Sequence, residues 1–485
     1  MRRHLLLALL LVLPVAASAQ GPGRPNFIVL FADDQGWGDL GVYGHPDIRT
    51  PHIDRMAVEG IRFTSFYAAP FCGPSRAALM TGSYPPRASL AFNHGPKAST
   101  GIHPGEVTVA ELLQARGYAT RMIGKWHLGD APEFLPHRHG FDSWFGIPFS
   151  NDMWRYHPVM PIRMPEDERM ISARERADMT GFAGQGSYYD LERGQGFPHP
   201  LPLMRDDEVI EADSDQRKLT TLYTELAQDF IRENRGGPFF LYLPYAMPHV
   251  PLFVSNERWG KSLRGRYGDV IEELDWSAGQ ILGTLRDLGI DRKTLVVYTS
   301  DNGPWLQYGI DAGSAGPFKL GKATTWEGGM RVPGVFWMPG SIPAGQVTSE
   351  VAANMDLLPT FARLAGAELP ADRVLDGRDL WPLLTGESDR SPHEYFYFFA
   401  GTRPGSPPRL QGIRKGRHKL RLRPGPDGEL IADQLFDLFA DAGEKFDISE
   451  RHERLVEELV GQGRAFVAEL RAATRPLGDS RVSLP

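Results

Sequence analysis

The sequence predicts an α/β protein: a large domain with a mostly parallel central sheet flanked by helices, then a smaller C-terminal subdomain with an antiparallel sheet and a terminal helix. Four short, apolar, β-rich runs each end in a cluster of polar residues. Helical patterns with capping signals separate these runs, as in βαβ units. After about residue 375, short alternating runs replace this pattern, so we expect residues 20–375 and 376–485 to form the two parts.

The composition is that of a folded protein with many loops. Of 485 residues, 41% are hydrophobic, 11% aromatic and 23% charged, which excludes wholesale disorder. The net charge of −7 provides no electrostatic footprint for nucleic acid, so we expect no nucleic-acid partner. The 53 glycines and 40 prolines show no repeat period, which favours a loop-rich enzyme over a fibre.

The N-terminus, Met1–Ala19, has the pattern of a secretory signal peptide. A basic start precedes the apolar run Leu5–Val15, and Ala17-Ser18-Ala19 provides a small-residue cleavage site. The alternative is a membrane anchor left uncleaved, but this run is too short to span a bilayer and no later segment has eighteen consecutive apolar residues. We therefore expect a periplasmic or secreted protein without a stable membrane span; the paired arginines do not decide the export route.

The four apolar runs are predicted to be strands whose carboxyl ends meet. Each run and the polar residues after it are Asn26–Phe31 with Asp33 and Asp34, Tyr118–Ile123 with Lys125 and His127, Phe239–Leu243 with His249, and Thr294–Thr299 with Asp301 and Asn302. In open α/β sheets, ligands bind beyond the carboxyl ends of the strands. The sequence therefore predicts a functional site where these polar residues converge.

Helix signals occur between the predicted strands. Thr50-Pro51 opens one helix and Gly60 closes it, since proline suits the first helical position and glycine the C-terminal cap. Thr108 and Glu111 form a capping box whose helix is expected to stop at Gly117. Apolar residues recur at helical spacing in the two long segments Arg217–Asn234 and Tyr267–Asp287.

A further helix is predicted to begin at Pro74, close to Cys72, the only cysteine of the chain. Pro74 suits the first position of a helix that runs to about Thr81, which places Cys72 at or just before the helix N-terminus. Free N–H groups and the helix dipole favour an anion there. No internal disulfide can form, and a single thiol in an oxidising compartment is either buried and inert or kept for chemistry.

The C-terminal part is predicted to be a small antiparallel sheet with a helix packed on it. Short alternating runs occupy His393–Phe399 and Gly412–Leu422, and an amphipathic helix follows from about Glu450 to Ala473. Basic residues alternate with apolar ones in this region, so we expect them on the solvated face of a hairpin. They are Arg409, Arg414, Lys415, Arg417, Lys419, Arg421 and Arg423.

Oxygen donors at two strand ends predict a metal site. Asp33 and Asp34 follow the first strand, Asp301 and Asn302 follow the last, and neither pair has a thiolate or imidazole close in sequence. Such hard ligands suit Ca²⁺ or Mg²⁺ rather than zinc. We expect one divalent cation, with Ca²⁺ the first choice because an anionic substrate oxygen could complete its large coordination shell, and Mg²⁺ the alternative.

Cationic and imidazole side chains in the same region predict a receptor for a tetrahedral oxyanion. Lys125 and His127 are two residues apart, so both point the same way in an extended segment. Lys322, in a turn-rich loop, and Arg76 supply two further positive charges. His127 and His249 are the candidate proton carriers.

Five separated motifs resemble, in the same order, those of the type I, formylglycine-dependent sulfatases, and most closely the arylsulfatase A-like branch. They are Cys72-Gly-Pro-Ser-Arg76 with Leu79–Gly82, Gly124-Lys-Trp-His-Leu-Gly129, Asp33-Asp34, Asp301-Asn302-Gly303 and Gly321–Gly329, with Gly146-Ile-Pro-Phe-Ser150 as support. The resemblance covers nearly all of Asn26–Ala473. It implies an alkaline-phosphatase-like large domain and hydrolysis of sulfate monoesters.

The resemblance also implies how the nucleophile is made and used. A separate formylglycine-generating enzyme would oxidise Cys72 to Cα-formylglycine (3-oxoalanine), whose hydrate is a geminal diol. One hydroxyl, activated by the metal and Arg76, would attack sulfur and give a sulfated enzyme, while His249 protonates the departing alcohol. His127 would then take a proton from the second hydroxyl and sulfate would leave. A serine ester would need an outside water, whereas a diol can expel sulfate internally.

The site residues follow from the same resemblance. Asp33, Asp34, residue 72, Asp301 and Asn302 would hold the metal. Four side chains would bind the sulfate group of the substrate, and they are Lys125, Ser150, His249 and Lys322. The substrate itself stays open between a sulfated small molecule, carbohydrate or lipid, because the pocket mouth, expected at 151–202 and 251–265, does not identify what carries the sulfate.

Three alternatives remain beside this interpretation. A phosphodiesterase or phosphonate monoester hydrolase of the same superfamily would bind an oxyanion of the same geometry. A two-zinc phosphatase is disfavoured because the strand-end donors are oxygens; His137 and His139, in a loop bounded by proline and glycine, are more typical of a structural role. A non-catalytic binder of sulfated polysaccharide could use the basic run, although neither Cys72 nor any predicted metal ligand is missing.

Overall fold

The computed structural model describes residues 23–153, 162–163, 170–171, 200–402 and 405–482. The predicted signal peptide Met1–Ala19 and most of the predicted pocket mouth at 151–202 lie outside these residues. Across the described residues, no helix combines the length and apolar character needed to cross a bilayer. The boundary expected near residue 375 stays a prediction.

Nineteen strands are described. In chain order they are β1 (Asn26–Ala32), β2 (Ile61–Tyr67), β3 (Thr100–Gly101), β4 (Ala119–Lys125), β5 (Ser143–Ile147), β6 (Ile162–Arg163), β7 (Met170–Ile171), β8 (Leu203–Arg205), β9 (Glu208–Glu211), β10 (Phe239–Pro244), β11 (Thr294–Ser300), β12 (Arg331–Trp337), β13 (Gln346–Thr348), β14 (Ala352–Ala353), β15 (Phe396–Ala400), β16 (Arg409–Lys415), β17 (His418–Pro424), β18 (Leu430–Asp437) and β19 (Gly478–Asp479).

The four predicted strands are neighbours in one large sheet. Its order is β13-β2-β12-β11-β1-β10-β4-β5-β8-β9, with β14 also paired to β2. The pairs β11–β1, β1–β10, β10–β4 and β4–β5 are all parallel, whereas β12, β8 and β9 introduce antiparallel pairs. The prediction of a mostly parallel sheet is therefore confirmed. Because β11, β1, β10 and β4 run in one direction, their carboxyl ends meet at one edge.

The described helices include all those predicted. They are α1 (Pro51–Val58), α2 (Cys72–Thr81), α3 (Val109–Gln114), α4 (Leu219–Glu233), α5 (Arg266–Asp287), α6 (Glu327–Met330), α7 (Leu357–Ala365), α8 (Trp381–Thr385) and α9 (Glu453–Ala472). The capping box is present, since the Glu111 N–H donates to Thr108 Oγ1 over 3.1 Å and the Thr108 N–H donates to Glu111 Oε2 over 2.6 Å. Helix α3 ends at Gln114, before the expected Gly117.

The start of α2 differs from the prediction at one position. Pro74 was expected to be the first helical residue, but the helix begins at Cys72, with the extended Phe71 as its N-cap. Pro74 is thus the third residue, where a proline is tolerated because the first backbone N–H groups of a helix have no acceptor within it. The expectation that Cys72 lies at the N-terminus of this helix is confirmed.

Alternation along β1 divides the core of the large domain into two layers. Ile28 and Leu30 pack on one face of the sheet, in the cluster that contains α4 and α5. Phe27, Val29 and Phe31 pack on the other face, in the cluster that contains α3 and α7. Successive side chains of a strand point to opposite faces, so a strand buried on both sides reads as one continuous apolar run. That is why Phe27–Phe31 is an unbroken apolar run.

The C-terminal subdomain is the predicted antiparallel sheet with a helix. Its strand order is β15-β16-β17-β18, all antiparallel, and α9 packs on it. A third apolar cluster joins Phe398 and Leu420 of this sheet and Leu459 of α9 to Tyr67 and Met330 of the large domain. The subdomain therefore packs against the large domain next to α6, which ends at Met330.

The expectation that the basic run lies on a solvated face is wrong for three of its residues. Arg414, Lys419 and Arg421 are buried between the two parts of the protein, whereas Arg409, Arg417 and Arg423 are exposed. Lys419 pairs with Glu327 over 2.8 Å and with Glu444 over 2.9 Å. The alternation of basic and apolar residues placed the basic side chains on one face of the hairpin. Glu327 and Glu444 cover part of that face, so it packs against the rest of the protein instead of facing solvent.

Replacing Lys419 by methionine is expected to lower the free energy of unfolding by about 3–5 kcal/mol, because it leaves two buried carboxylates without their cation. Urea denaturation would measure this loss. The matched control is Lys415→Met in the adjacent strand, which removes a half-exposed pair with Glu458 and should cost less than about 1 kcal/mol. Equal losses in the two variants would contradict the assignment of Lys419 to a buried ionic network.

Candidate active site

The ends of β1 and β11 bring together four polar residues, Asp33, Asp34, Asp301 and Asn302, which we call the strand-end cluster. The Asp34 N–H donates to Asp301 Oδ1 over 3.1 Å, and Asn302 Nδ2 donates to Asp34 Oδ1 over 2.7 Å. All four side chains are buried. Asn302 Oδ1 is buried with no hydrogen-bond partner among the described residues, so one acceptor of the cluster is left to be satisfied.

Cys72 lies beside this cluster at the N-terminus of α2. Its Sγ atom is 3.5 Å from Asp33 Oδ1 and 4.0 Å from Asp34 Oδ1. Burial, followed by the negative charge of Asp33, raises the pKa of the thiol well above its usual value. The side chain is therefore a neutral thiol, and a neutral thiol is a weak nucleophile.

The donor set at this edge fits a hard divalent cation. Ligand atoms of Asp33, Asp34, Cys72 and His249 all lie within 4.8 Å of one another. Asn302 lies beside the same carboxylates, since its Nδ2 is 2.7 Å from Asp34 Oδ1, and its Oδ1 is buried without a partner among the described residues. Carboxylate and amide oxygens are the ligands that Ca²⁺ and Mg²⁺ prefer. His249 was not among the predicted ligands, and its Nε2 is 3.4 Å from Asp34 Oδ2.

Arg76 connects the two halves of the strand-end cluster. Its Nη2 atom is 2.9 Å from Asp33 Oδ2 and 2.9 Å from Asp301 Oδ2, and its Nη1 donates to the Lys125 carbonyl over 2.6 Å. Burial opposes the charge of Asp33, but Lys125, His249 and Arg76 together hold its pKa well below the usual range. The guanidinium contacts the carboxylates rather than Cys72, so its geometry is that of a group that orients them.

Lys125 and Ser150 meet on one side of the site. Lys125 Nζ donates to Ser150 Oγ over 2.9 Å and also pairs with Asp33. Gly124 precedes it with φ 136°, and a Cβ there would lie 1.8 Å from the Pro244 carbonyl oxygen. Only glycine lets the end of β4 approach β10 this closely. The approach places Lys125 at the strand-end cluster, as predicted.

Lys322 closes the other side of the site. Its Nζ is 2.7 Å from Asp34 Oδ1 and 3.4 Å from Cys72 Sγ, and it lies 4.5 Å from the ring centre of Trp305. Burial disfavours its charge, but Asp34 and Cys72 raise its pKa well above the usual value. Its loop is held by the C-terminal sheet, because Lys419 Nζ donates to the Thr325 carbonyl over 3.0 Å.

The hydrogen bonds of His127 define which of its nitrogens is free. Its Nε2 lies 3.1 Å from the carbonyl oxygen of His94, which can only accept, so Nε2 carries the proton. Nδ1 is buried without a partner among the described residues. Burial, together with Lys125 and Arg76, lowers the pKa of His127 well below its usual value. His127 is therefore a neutral imidazole with its lone pair on Nδ1.

His249 has the opposite arrangement. Its Nδ1 donates to the Val250 carbonyl over 2.6 Å, which leaves Nε2 facing Asp34. Burial lowers its pKa, while the nearby charge of Asp34 opposes that shift. Asn151 orients the loop, since its Nδ2 lies 3.2 Å from the His249 carbonyl oxygen.

Sequence reasoning missed several residues that build the site. Asn93 accepts from the Gly73 N–H over 2.9 Å, and the His94 carbonyl orients His127. Asn151 and Trp305 pack around His249. Trp305 follows the Asp301-Asn302-Gly303 motif by two residues, so its position beside that motif could have identified it as a site residue. Nothing in the local pattern marks Asn93, His94 or Asn151, because each acts through a partner distant in sequence.

Comparison with known proteins identifies the class to which this site belongs. A family model described as Sulfatase matches residues 25–367, and one described as N-sulphoglucosamine sulphohydrolase, C-terminal, matches residues 318–462. The steryl-sulfatase of Rattus norvegicus is 37% identical over 97% of this chain and 93% of its own. The N-acetylgalactosamine-6-sulfatase of Rattus norvegicus is 41% identical over 87% of this chain and 75% of its own.

A solved structure agrees with these relatives. The PsFucS1 sulfatase from Pseudoalteromonas sp. superposes with a TM-score of 0.78 at 28% identity, covering 94% of this chain and 92% of that one. The chain belongs to the type I sulfatase family, and its large domain has the alkaline-phosphatase-like fold. It is a sulfatase, an enzyme that hydrolyses sulfate esters.

Proposed function

We propose that this sulfatase acts through Cys72 after its conversion to Cα-formylglycine, beside one divalent cation, on sulfate monoesters. The observation that carries the proposal is the position of residue 72. It begins α2, its Sγ atom is 3.5 Å from Asp33 and 3.4 Å from Lys322, and the thiol is held neutral by burial and by Asp33. An unmodified thiol with a raised pKa is a poor nucleophile, whereas a hydrated aldehyde supplies two hydroxyls at the same point.

The residues proposed to hold the cation are Asp33, Asp34, residue 72, Asp301 and Asn302. When bound, a Ca²⁺ or Mg²⁺ ion would supply Lewis-acid polarisation and would offset negative charge on the sulfate oxygens. The support is the set of buried oxygen donors and the unpartnered Asn302 Oδ1. Ca²⁺ is the first choice because several carboxylates converge here together with an amide oxygen.

The chain's own residues supply binding and proton transfer. The ammonium groups of Lys125 and Lys322 lie on two sides of residue 72 and would hold the sulfate oxygens, with Ser150 orienting Lys125. His249 Nε2 faces the cluster. Because Nδ1–H is bonded to the Val250 carbonyl, His249 would act as the acid in its imidazolium form, which the charge of Asp34 favours, and would donate the Nε2 proton to the departing alcohol oxygen. His127 Nδ1, with its free lone pair, would accept the proton from the second hydroxyl of residue 72 as sulfate leaves.

The proposal extends to maturation and export. Residue 72 needs a formylglycine-generating enzyme as a partner during maturation, and the N-terminal pattern favours export to the periplasm or beyond.

The substrate we favour is a sulfated carbohydrate. Two of the comparisons support it, since one relative is an N-acetylgalactosamine-6-sulfatase and one solved structure is in complex with a neocarrahexaose, whereas the steryl-sulfatase relative supports a sulfated lipid as the alternative.

The test compares an aryl sulfate with an aryl phosphodiester on one preparation whose Cys72 peptide is characterised by mass spectrometry. We expect formylglycine at position 72 and a kcat/KM for the sulfate that exceeds that for the phosphodiester by at least 100-fold, or about 2.7 kcal/mol of transition-state discrimination. Faster turnover of the phosphodiester would favour the phosphodiesterase alternative. Full activity of a preparation whose residue 72 is entirely cysteine would contradict the formylglycine proposal.

A further inference from the structure

The segment that carries Lys322, residues 319–327, connects the active site to the C-terminal sheet, and we call it the Lys322 loop. On its active-site side, the Lys322 N–H donates to the Pro304 carbonyl over 3.0 Å and the Ala323 N–H donates to the Pro70 carbonyl over 2.9 Å. Pro304 lies just after the strand-end cluster and Pro70 just before α2. This side of the loop is therefore bonded to both parts of the site.

The backbone of the Lys322 loop adopts a conformation that it would not choose by itself. Leu320 and Ala323, on either side of Lys322, have positive φ angles of 59° and 73°. Residues with a Cβ disfavour this left-handed region, so the loop must be held in it by its contacts. The side chain of Leu320 is 48% exposed, and its own packing provides little of that support. The support must therefore come from the segments that are bonded to the loop.

Arg421 of β17 holds the far end of the loop. Its Nη1 donates to Thr325 Oγ1 over 2.6 Å and to the Thr325 carbonyl over 3.2 Å, and its guanidinium carbon lies 4.2 Å from the ring centre of Trp326. Thr325 Oγ1 in turn donates to Gln411 Oε1 of β16 over 2.9 Å. Two strands of the C-terminal sheet therefore hold a residue that is three positions from Lys322 along the chain.

The surroundings of Arg421 are unusual for a buried arginine. Among the described residues, its side chain forms no ion pair with a carboxylate and no hydrogen bond other than those to Thr325. Burial lowers its pKa, although the charges of Glu444 and Asp433 oppose that shift. A buried guanidinium without a paired carboxylate costs stability, whereas the neighbouring Lys419 has two carboxylate partners. Such an arrangement is typical of a residue that positions another group rather than one that stabilises the fold.

We propose that Arg421 is a positioning residue for the sulfatase reaction: by holding Thr325, it fixes the Lys322 loop where the Lys322 ammonium group reaches the sulfate group of the substrate. The proposal rests on the proposed function, in which Lys322 binds sulfate oxygens. Lys322 Nζ is 2.7 Å from Asp34 Oδ1 and 3.4 Å from Cys72 Sγ, so it can contact a group bound beside residue 72. Because Arg421 bonds to Thr325 and not to these atoms, its effect must pass through the loop.

The test is a double-mutant cycle of Arg421→Ala and Lys322→Ala, measured on an aryl sulfate with preparations matched for formylglycine content at position 72. We expect Arg421→Ala to lower kcat/KM by about tenfold, mainly through KM, because a group that holds the sulfate oxygens binds the ester and the transition state alike. The inhibition constant of inorganic sulfate should rise by a similar factor. In the Lys322→Ala protein, adding Arg421→Ala should change kcat/KM by less than about twofold, since the group that Arg421 positions is already gone.

Further variants separate positioning from folding, with the melting temperature of each one measured. Arg421→Lys keeps a donor for Thr325 and should recover part of the lost kcat/KM. The matched control is Arg423→Ala in the same strand, which removes an exposed arginine 3.6 Å from Asp433 and should leave kcat/KM unchanged. Thr325→Val deletes the hydroxyl that bonds to Arg421 and Gln411, and it takes the place of Arg421→Ala in the cycle should that variant not fold.

Additive effects of the two substitutions on kcat/KM would overturn the positioning role, because a merely structural residue affects the enzyme whether or not Lys322 is present. A lower melting temperature with unchanged kcat/KM in Arg421→Ala would overturn it as well. Full activity of Lys322→Ala would contradict both the inference and the sulfate-binding role of Lys322. The chemical state of residue 72 and the turnover of aryl sulfate by the parent enzyme report separately on the rest of the proposed function.

Discussion

Replacing Cys72 by alanine is expected to lower kcat for sulfate ester hydrolysis by on the order of 10⁴-fold or more, because it removes the only group proposed to attack sulfur. Lys125, Lys322 and the strand-end cluster remain, so the variant should still bind the ester. Cys72 is buried and its Sγ makes only long contacts of 3.4–4.0 Å with charged neighbours. The fold should therefore survive, which the melting temperature and circular dichroism would check.

Cys72→Ser is the matched comparison, since it keeps a small polar atom at the same point. A serine hydroxyl could accept the sulfuryl group only once, because it has no second hydroxyl to expel sulfate. We expect turnover as low as that of the alanine variant, with at most a single stoichiometric transfer in the first seconds. Steady turnover by Cys72→Ala within tenfold of the parent enzyme would refute the role of residue 72 as the nucleophile precursor.

Replacing Asp301 by alanine is expected to reduce the bound metal to well below one equivalent and to lower kcat/KM by at least about 100-fold. Asp301 is one of the proposed ligands, its Oδ1 accepts from the Asp34 N–H, and its Oδ2 pairs with Arg76. Its loss therefore removes a carboxylate and releases the two groups that it orients. Elemental analysis of purified protein, with titration of Ca²⁺ and Mg²⁺ into metal-free enzyme, would measure the effect and identify the preferred ion.

A second buried carboxylate provides the control for Asp301. Asp39 is equally buried and accepts hydrogen bonds from Gly36, Tyr267 and Ser314, but it lies outside the strand-end cluster. Asp39→Ala should lose stability, as Asp301→Ala should, while the folded fraction keeps its metal. Unchanged metal content in Asp301→Ala would count against the ligand assignment, and equal metal loss in both variants would show that the effect is only structural.

The strands and the chemistry of the site could be predicted because their signals are local. The NFIVLF and TLVVYT runs are mostly apolar, as expected for strands buried on both faces, and the structure places them side by side. The rule that parallel strands share a carboxyl edge then predicts that Asp33, Asp34, Asp301 and Asn302 lie together. The Cys72 motif and its position at a helix N-terminus could also be predicted from the sequence.

Other features could not be predicted because they depend on contacts between distant segments. Alternation along β16 and β17 correctly separated two faces, but it could not show that Glu327 and Glu444 cover one of them and bury Lys419. The free nitrogen of His127 depends on the carbonyl of His94, 33 residues earlier in the chain. Helix α2 begins two residues before its predicted start at Pro74, because the N-cap is Phe71, which has an extended backbone conformation.

Residue type and hydrophobic period are properties of short segments, so they predict which side chains can do chemistry and at which strand ends they lie. Which charges meet depends on the fold. Lys322 reaches Asp34 across 288 positions of sequence, and Arg76 reaches Asp301 across 225. Such pairings follow from sheet register and from the burial of charges that must find partners, and no local pattern records either.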